Sequence, residues 1–124
     1  MNAAAPAPPA AALAAVDRFA AAFDARDVDA VMACMTSDCL FESTDPPDGV
    51  RYQGYAAVRG AWERLFEASP DATFTTESRF ADGANVAVTW RYDWGGDRPS
   101  HVRGVDLFVV REGLIAQKCS YVKG

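Results

Sequence analysis

The rhythm of hydrophobic and polar positions changes about half-way along the 124-residue chain. In the first half, apolar residues recur every three or four positions. Leu13, Val16, Phe19, Ala20 and Phe23 mark one stripe, which predicts an amphipathic helix over residues 10–25. In "ARDVDAVMACM", Asp27 stands where a helix N-cap belongs, and Val28, Val31, Met32 and Met35 follow on an inward face. "SDCLFES" reads as a short strand. "TDPPDGVRYQG" is so dense in Pro, Asp and Gly that it reads as a loop. "YAAVRGAWERLFEAS" returns to helical spacing through Val58, Trp62, Leu65 and Phe66, and Pro70 ends it. The second half alternates instead. "ATFTTESRF" and "NVAVTWRYDW" are separated by a turn at residues 81–84, and "HVRGVDLFVV" and "LIAQKCSYV" by one at 111–113. Helices first and antiparallel strands afterwards predict an α+β domain, its helices covering one face of a curved sheet.

Composition narrows the class. Half of the residues are hydrophobic, so the chain is globular, and its length suits one domain, placed at residues 10–124. Residues 1–9, rich in Ala and Pro, are expected to form a flexible tail. The formal charge is −5 with no Lys/Arg run, which argues against nucleic acid and anionic membranes as partners. No apolar stretch is long enough to span a bilayer, and three prolines interrupt the alanine-rich start, which argues against a signal peptide. An odd cysteine count in a chain able to bury a core fits a reduced protein, so a cytoplasmic one is expected. Cys34, Cys39 and Cys119 have neither CxxC nor Cys/His ligand spacing. They read as small buried hydrophobes, with no metal and no cofactor expected.

One side chain breaks the apolar pattern at a costly place. Asp106 stands between Val105 and Leu107-Phe108-Val109-Val110, where an unpaired carboxylate would cost several kcal/mol. It must be neutral, paired or open to a cavity. Arg103 and Lys118 are the cations that could pair with it. In "VAVTWRYDW", strict alternation places Trp90, Tyr92 and Trp94 on one face and Arg91 and Asp93 on the other. Which face meets the interior is open at this point. Lys118 and Ser120 share a face of the last strand with Val122. The single histidine, His101, and the loop-mouth acids Glu42 and Asp45 are weaker candidates, since charged and lone imidazole groups are commonly just solvated.

The order of elements, with "ARDVDAVMACMTSDCLFES", "GYAAVRGAWERLF" and above all the ending "RGVDLFVVREGLIAQKCSYVKG", resembles the nuclear transport factor 2-like superfamily and, within it, the SnoaL-like branch. Polyketide cyclases, ketosteroid isomerases and limonene epoxide hydrolases belong to the same kin. The resemblance implies a cone, a bent antiparallel sheet wrapped round the N-terminal helices, with a mostly apolar pocket at its open end. It implies Asp106, Arg91 and Asp93 as catalytic residues. Phe19, Phe41, Ser43, Trp62, Phe108, Lys118 and Ser120 would be the ligand-binding set. It also implies a homodimer through the outer sheet face, built on Trp90, Tyr92 and Trp94 with Val105 or Leu107.

The matches to the individual enzymes are partial. Asp106 falls on the oxyanion-hole acid of ketosteroid isomerases, but their oxyanion tyrosine falls on Phe19 and their base near Ser43, with Asp45 displaced. Arg91 and Asp93 fall on the Arg-x-Asp of limonene epoxide hydrolases, but the second aspartate falls on Ser120 and the water-holding Tyr and Asn on Phe41 and Ser43. Neither mechanism is complete here. Two readings stand: a cofactor-independent acid/base enzyme of cyclase, isomerase or lyase type acting on a largely apolar substrate, or a non-catalytic ligand-binding or association module of the same fold. Polar groups converging on Asp106 favour the first, and a small or filled cavity the second.

Overall fold

The computed structural model describes residues 9–124. Three helices, α1 (Pro9–Asp24), α2 (Val28–Ala33) and α3 (Tyr55–Ala68), precede or interrupt six strands. The strands are β1 (Met35–Glu42), β2 (Arg51–Gln53), β3 (Thr73–Asp82), β4 (Asn85–Trp94), β5 (Ser100–Arg111) and β6 (Leu114–Val122). They form one curved, open sheet in the order β2-β1-β6-β5-β4-β3. This is the α+β cone that the sequence resemblance implied.

Pro9 opens α1, where its missing N–H leaves no helical bond unmade. The tail expected over residues 1–9 otherwise lies outside the described residues. Ala12, Ala15, Val16 and Phe19 form the buried stripe of α1. Asp27 caps α2 as expected, its Oδ1 accepting from the Ala30 N–H at 3.1 Å. The hairpin between β5 and β6 turns on Glu112 and Gly113, both at positive φ, the backbone a two-residue turn of this hand requires.

Three expectations need correction. Met35 begins β1 rather than continuing α2, because the helix stops at Ala33 and Cys34 already leaves it. The expected loop contains β2, only three residues long, which pairs antiparallel with β1 through Leu40, Phe41 and Glu42. Its Tyr52 stacks on Phe41 with ring centroids 5.7 Å apart, so a side-chain contact holds a strand too short to show an alternation. Finally, the sheet is not wholly antiparallel. β1 and β6 run parallel, since a helix and four strands separate them and no hairpin dictates their relative direction.

The core lies between the helices and the inner face of the sheet. Trp62, Val58, Val31 and Ile115 are fully buried, and Val86, Val88, Trp90 and Phe108 point inward from β4 and β5. Gly104 stands opposite Trp90, and a Cβ there would collide with the indole. The glycine therefore lets Trp90 lie across β5. The cysteines are all free, Cys39 and Cys119 buried and Cys34 partly so. Burial pushes all three thiols above their ordinary range, which makes them inert packing groups. Among the described residues, no helix is long and apolar enough to cross a membrane.

Candidate active site

Strand register assembles the site. On the inner face, Val88, Asp106 and Ser120 fall in one row across β4, β5 and β6, while Phe108, Lys118 and Phe41 fall in the adjacent row across β5, β6 and β1. Two residues of β6, both pointing inward, therefore meet one acid of β5.

The contact is a bridged ion pair. The Ser120 hydroxyl donates to Asp106 Oδ1 at 2.7 Å, and Lys118 Nζ donates to Ser120 Oγ at 2.9 Å. Lys118 Nζ also lies 3.4 Å from Asp106 Oδ2. All three residues are buried, at 7–8 % exposure. The ammonium is flanked by rings as well: its nitrogen lies 4.9 Å from the centroid of Phe41, 5.3 Å from Trp62 and 5.8 Å from Phe23. Rings present negative faces to a cation and replace part of the water it has lost. The acid that stood out in the sequence is thus paired, and it also reaches a cavity.

That cavity measures about 450 Å³, and Phe41, Tyr52, Trp62, Trp90, Tyr92 and Val102 supply much of its apolar wall. Asp106, Lys118 and Ser120 line it, as do Ser43, Asp45 and Arg64 from exposed or half-exposed positions. A second cavity of about 180 Å³ also has Asp106 and Lys118 in its lining, and Phe19 and Phe108 belong to it rather than to the larger space. The residues of the expected ligand-binding set divide between the two spaces: Phe41, Ser43, Trp62, Lys118 and Ser120 line the larger, and Phe19, Phe108 and Lys118 the smaller. Ser43 is engaged locally: its hydroxyl donates to Asp45 at 2.5 Å and accepts from the Val50 N–H at 3.0 Å, closing the loop before β2.

Arg91 and Asp93 are not part of this site. They lie on the outer face of β4 and pair with each other, Arg91 Nε standing 3.0 Å from both carboxylate oxygens of Asp93. That bond holds the Asp93 carboxyl below the usual carboxylate range and raises Arg91. Burial along β4 decides the matter. Val86, Val88 and Trp90 occupy the buried side, so the intervening charges must face out. The same fact corrects the expected dimer patch, because Trp90 and Tyr92 line the cavity. His101 lies opposite Asp93 on the outer side, 3.4 Å from the Arg103 guanidinium, which itself pairs with Glu77 at 2.9 Å. Glu42 faces away from the cavity, opposite Arg51.

Sequence reasoning missed several lining residues. Phe23 carried a signal, since it ends the apolar stripe of α1, and alternation along β4 offered Trp90 and Tyr92 as inward aromatics. Tyr52 had none, being inside an apparent loop.

No curated protein matches the chain by sequence. A family model, the SnoaL-like domain, matches residues 16–118. The chain belongs to the SnoaL-like family. Solved structures place this SnoaL-like protein among similar folds. An NTF2-like protein of unknown function from Mesorhizobium loti is 32 % identical, with a TM-score of 0.82 over 94 % of this chain and 93 % of that one. A provisionally assigned SnoaL-like polyketide cyclase from Jannaschia sp. CCS1 is 18 % identical, with a TM-score of 0.81 over 93 % and 87 %. An LEH-like epoxide hydrolase from M. tuberculosis is 21 % identical, with a TM-score of 0.74 over 93 % and 84 %. The last two likenesses establish the fold and leave the chemistry to the residues.

Proposed function

We propose that this SnoaL-like protein binds a largely apolar, carbonyl-bearing small molecule and moves a proton on it without a cofactor, in an isomerisation, cyclisation or related lyase step. One observation carries the reading. An acid and a cation, Asp106 and Lys118, are buried together yet both line an aromatic cavity large enough for a ligand. The Asp106 carboxylate is the base that takes a proton from the carbon next to the carbonyl. The Lys118 ammonium is the positive charge that meets the enolate oxygen as it develops. Ser120 positions both through its two hydrogen bonds. The rings of Phe41, Trp62 and Trp90 supply a wall on which an apolar ring can stack. Where ketosteroid isomerases have an oxyanion tyrosine, this chain has Phe19, and Lys118 takes over the electrostatic part.

The test is exchange of α-protons of cyclic ketones such as 2-tetralone into heavy water, followed by NMR. The wild type should accelerate exchange, and Asp106→Asn should lose that acceleration by about 10²–10⁴-fold while keeping its far-UV spectrum. Equal rates with both proteins would defeat the reading. A ligand-binding module is the second reading, and it has one specific support. Both oxygens of Asp106 already face partners, Ser120 and Lys118. Saturable ketone binding with no exchange would select it.

A further inference from the structure

We propose that Lys118 is also an amine nucleophile, which forms a Schiff base with aromatic aldehydes and ketones that enter the cavity. The inference rests on the cavity admitting a carbonyl compound, as above, but not on proton abstraction by Asp106. Three observations point to it. Lys118 Nζ is buried among the rings of Phe23, Phe41 and Trp62 and lines the 450 Å³ cavity. It is joined to Asp106 by a continuous pair of hydrogen bonds through one hydroxyl, Nζ to Ser120 Oγ at 2.9 Å and Ser120 Oγ to Asp106 Oδ1 at 2.7 Å. Its direct contact with the carboxylate is longer, at 3.4 Å.

This geometry is a proton relay that can discharge both ends. Ser120 passes its hydroxyl proton to Asp106 Oδ1 and takes one from the ammonium, leaving a neutral amine and a neutral acid. The ion pair is the resting state, and this transfer along the two hydrogen bonds is transient, supplying the free amine only as a carbonyl carbon comes within its reach. The amine lone pair then attacks the carbonyl carbon, whose C=O π electrons move to oxygen. The amine proton shifts to that oxygen and gives a carbinolamine. Asp106 returns its proton through Ser120 to the carbinolamine hydroxyl, the C–O bond breaks, and water leaves. The product is a protonated imine beside an Asp106 carboxylate, so the starting charges are restored. Carbonyl plus ammonium gives iminium plus water, with no oxidant or reductant. An iminium carbon draws electrons from its neighbours, and bonds to the adjacent carbon become breakable.

Lys118 and Lys123 are the only lysines in the chain, and Lys123 is exposed near its end, which provides an internal control. The probe is 2-naphthaldehyde, which has no α-proton and so cannot report on enolisation. The protein is incubated with it and sodium cyanoborohydride, and the reduced adduct is located by peptide mass spectrometry. Lys118 should be labelled well before Lys123. Ser120→Ala, which cuts the relay, should slow labelling at Lys118 by about a hundredfold and leave Lys123 unchanged. Lys118→Arg should remove the fast adduct. If that variant fails to fold, the wild-type map and the Ser120→Ala rates decide. Labelling of Lys123 alone, equal labelling of the two lysines, or an undiminished Lys118 rate in Ser120→Ala would overturn the proposal. Ketone α-exchange without a Lys118 adduct would overturn it and keep the acid/base reading. A fast adduct without exchange would do the reverse.

Discussion

Two carboxylate–cation pairs lie on opposite faces of the same sheet, and they differ in almost every physical respect. Arg91 and Asp93, outside, are neighbours on one strand with side chains 37 % and 40 % exposed, and a short bidentate contact joins them. Lys118 and Asp106, inside, come from two strands, are only 10 % and 12 % exposed at the side chain, and need Ser120 between them. The better ion-pair geometry is the one that water already solvates, so its formation changes little. The poorer geometry is the one that cost desolvation to build. An arrangement chosen for stability alone would fill the inner positions with apolar side chains. That the cone keeps a bridged pair against a cavity is the physical argument for function there, and the outer pair supplies the control.

The largest expected effect comes from breaking the inner pair. Asp106→Leu leaves the Lys118 ammonium buried beside rings with no carboxylate, and should destabilise the protein by roughly 3–5 kcal/mol in urea titration. Adding Lys118→Met removes the stranded charge, and the double variant should recover most of that loss. A single variant as stable as the wild type would mean that the pair is not closed in solution.

A smaller effect tests what separates the faces. Val86 and Val88 set the inward face of β4, and Gly104 leaves the room that the Trp90 indole takes up on that face. Gly104→Ala should cost about 1–3 kcal/mol through overpacking, read as a fall in Tm. It should also narrow the main cavity, whose wall includes Trp90. Unchanged Tm would mean that the indole and the Tyr121 backbone carbonyl, both of which the new methyl group meets, give way freely.

The contrast also explains what could be read in the sequence. Asp106 was legible because a lone acid in an apolar run violates a local rule, and such a violation needs a partner or a cavity. Lys118 and Ser120 were legible as a shared face of β6, although their register with Asp106 is a property of strand pairing. The facing of Arg91 and Asp93 was not fixed by alternation alone, since a period of two assigns two faces without saying which is inside. Val86 and Val88 settle it by packing against the helices. Phe23 reaches the site from α1 only because the sheet curves around that helix, and no pattern of spacings carries such curvature. The short β2 depends on Tyr52 stacking on Phe41, a contact between residues separated by a loop.

The smallest expected effect belongs to the outer pair, where a change should be nearly silent. The Arg91 hydrogen bond lowers the Asp93 carboxyl below its ordinary value of 3.8. A carboxylate lowered on folding stabilises the folded state at pH values above its unfolded value. That contribution fades as the pH falls from 3.8 toward the lower folded value. Asp93→Asn should therefore shift the urea midpoint only slightly at neutral pH, and the gap from the wild type should close in acid. Because both groups are solvated and point away from the cavity, the variant should leave ketone exchange and Lys118 labelling as they are. Loss of either activity in Asp93→Asn would erase the distinction between the two faces. It would return Arg91 and Asp93 to the chemistry from which their outward placement removes them.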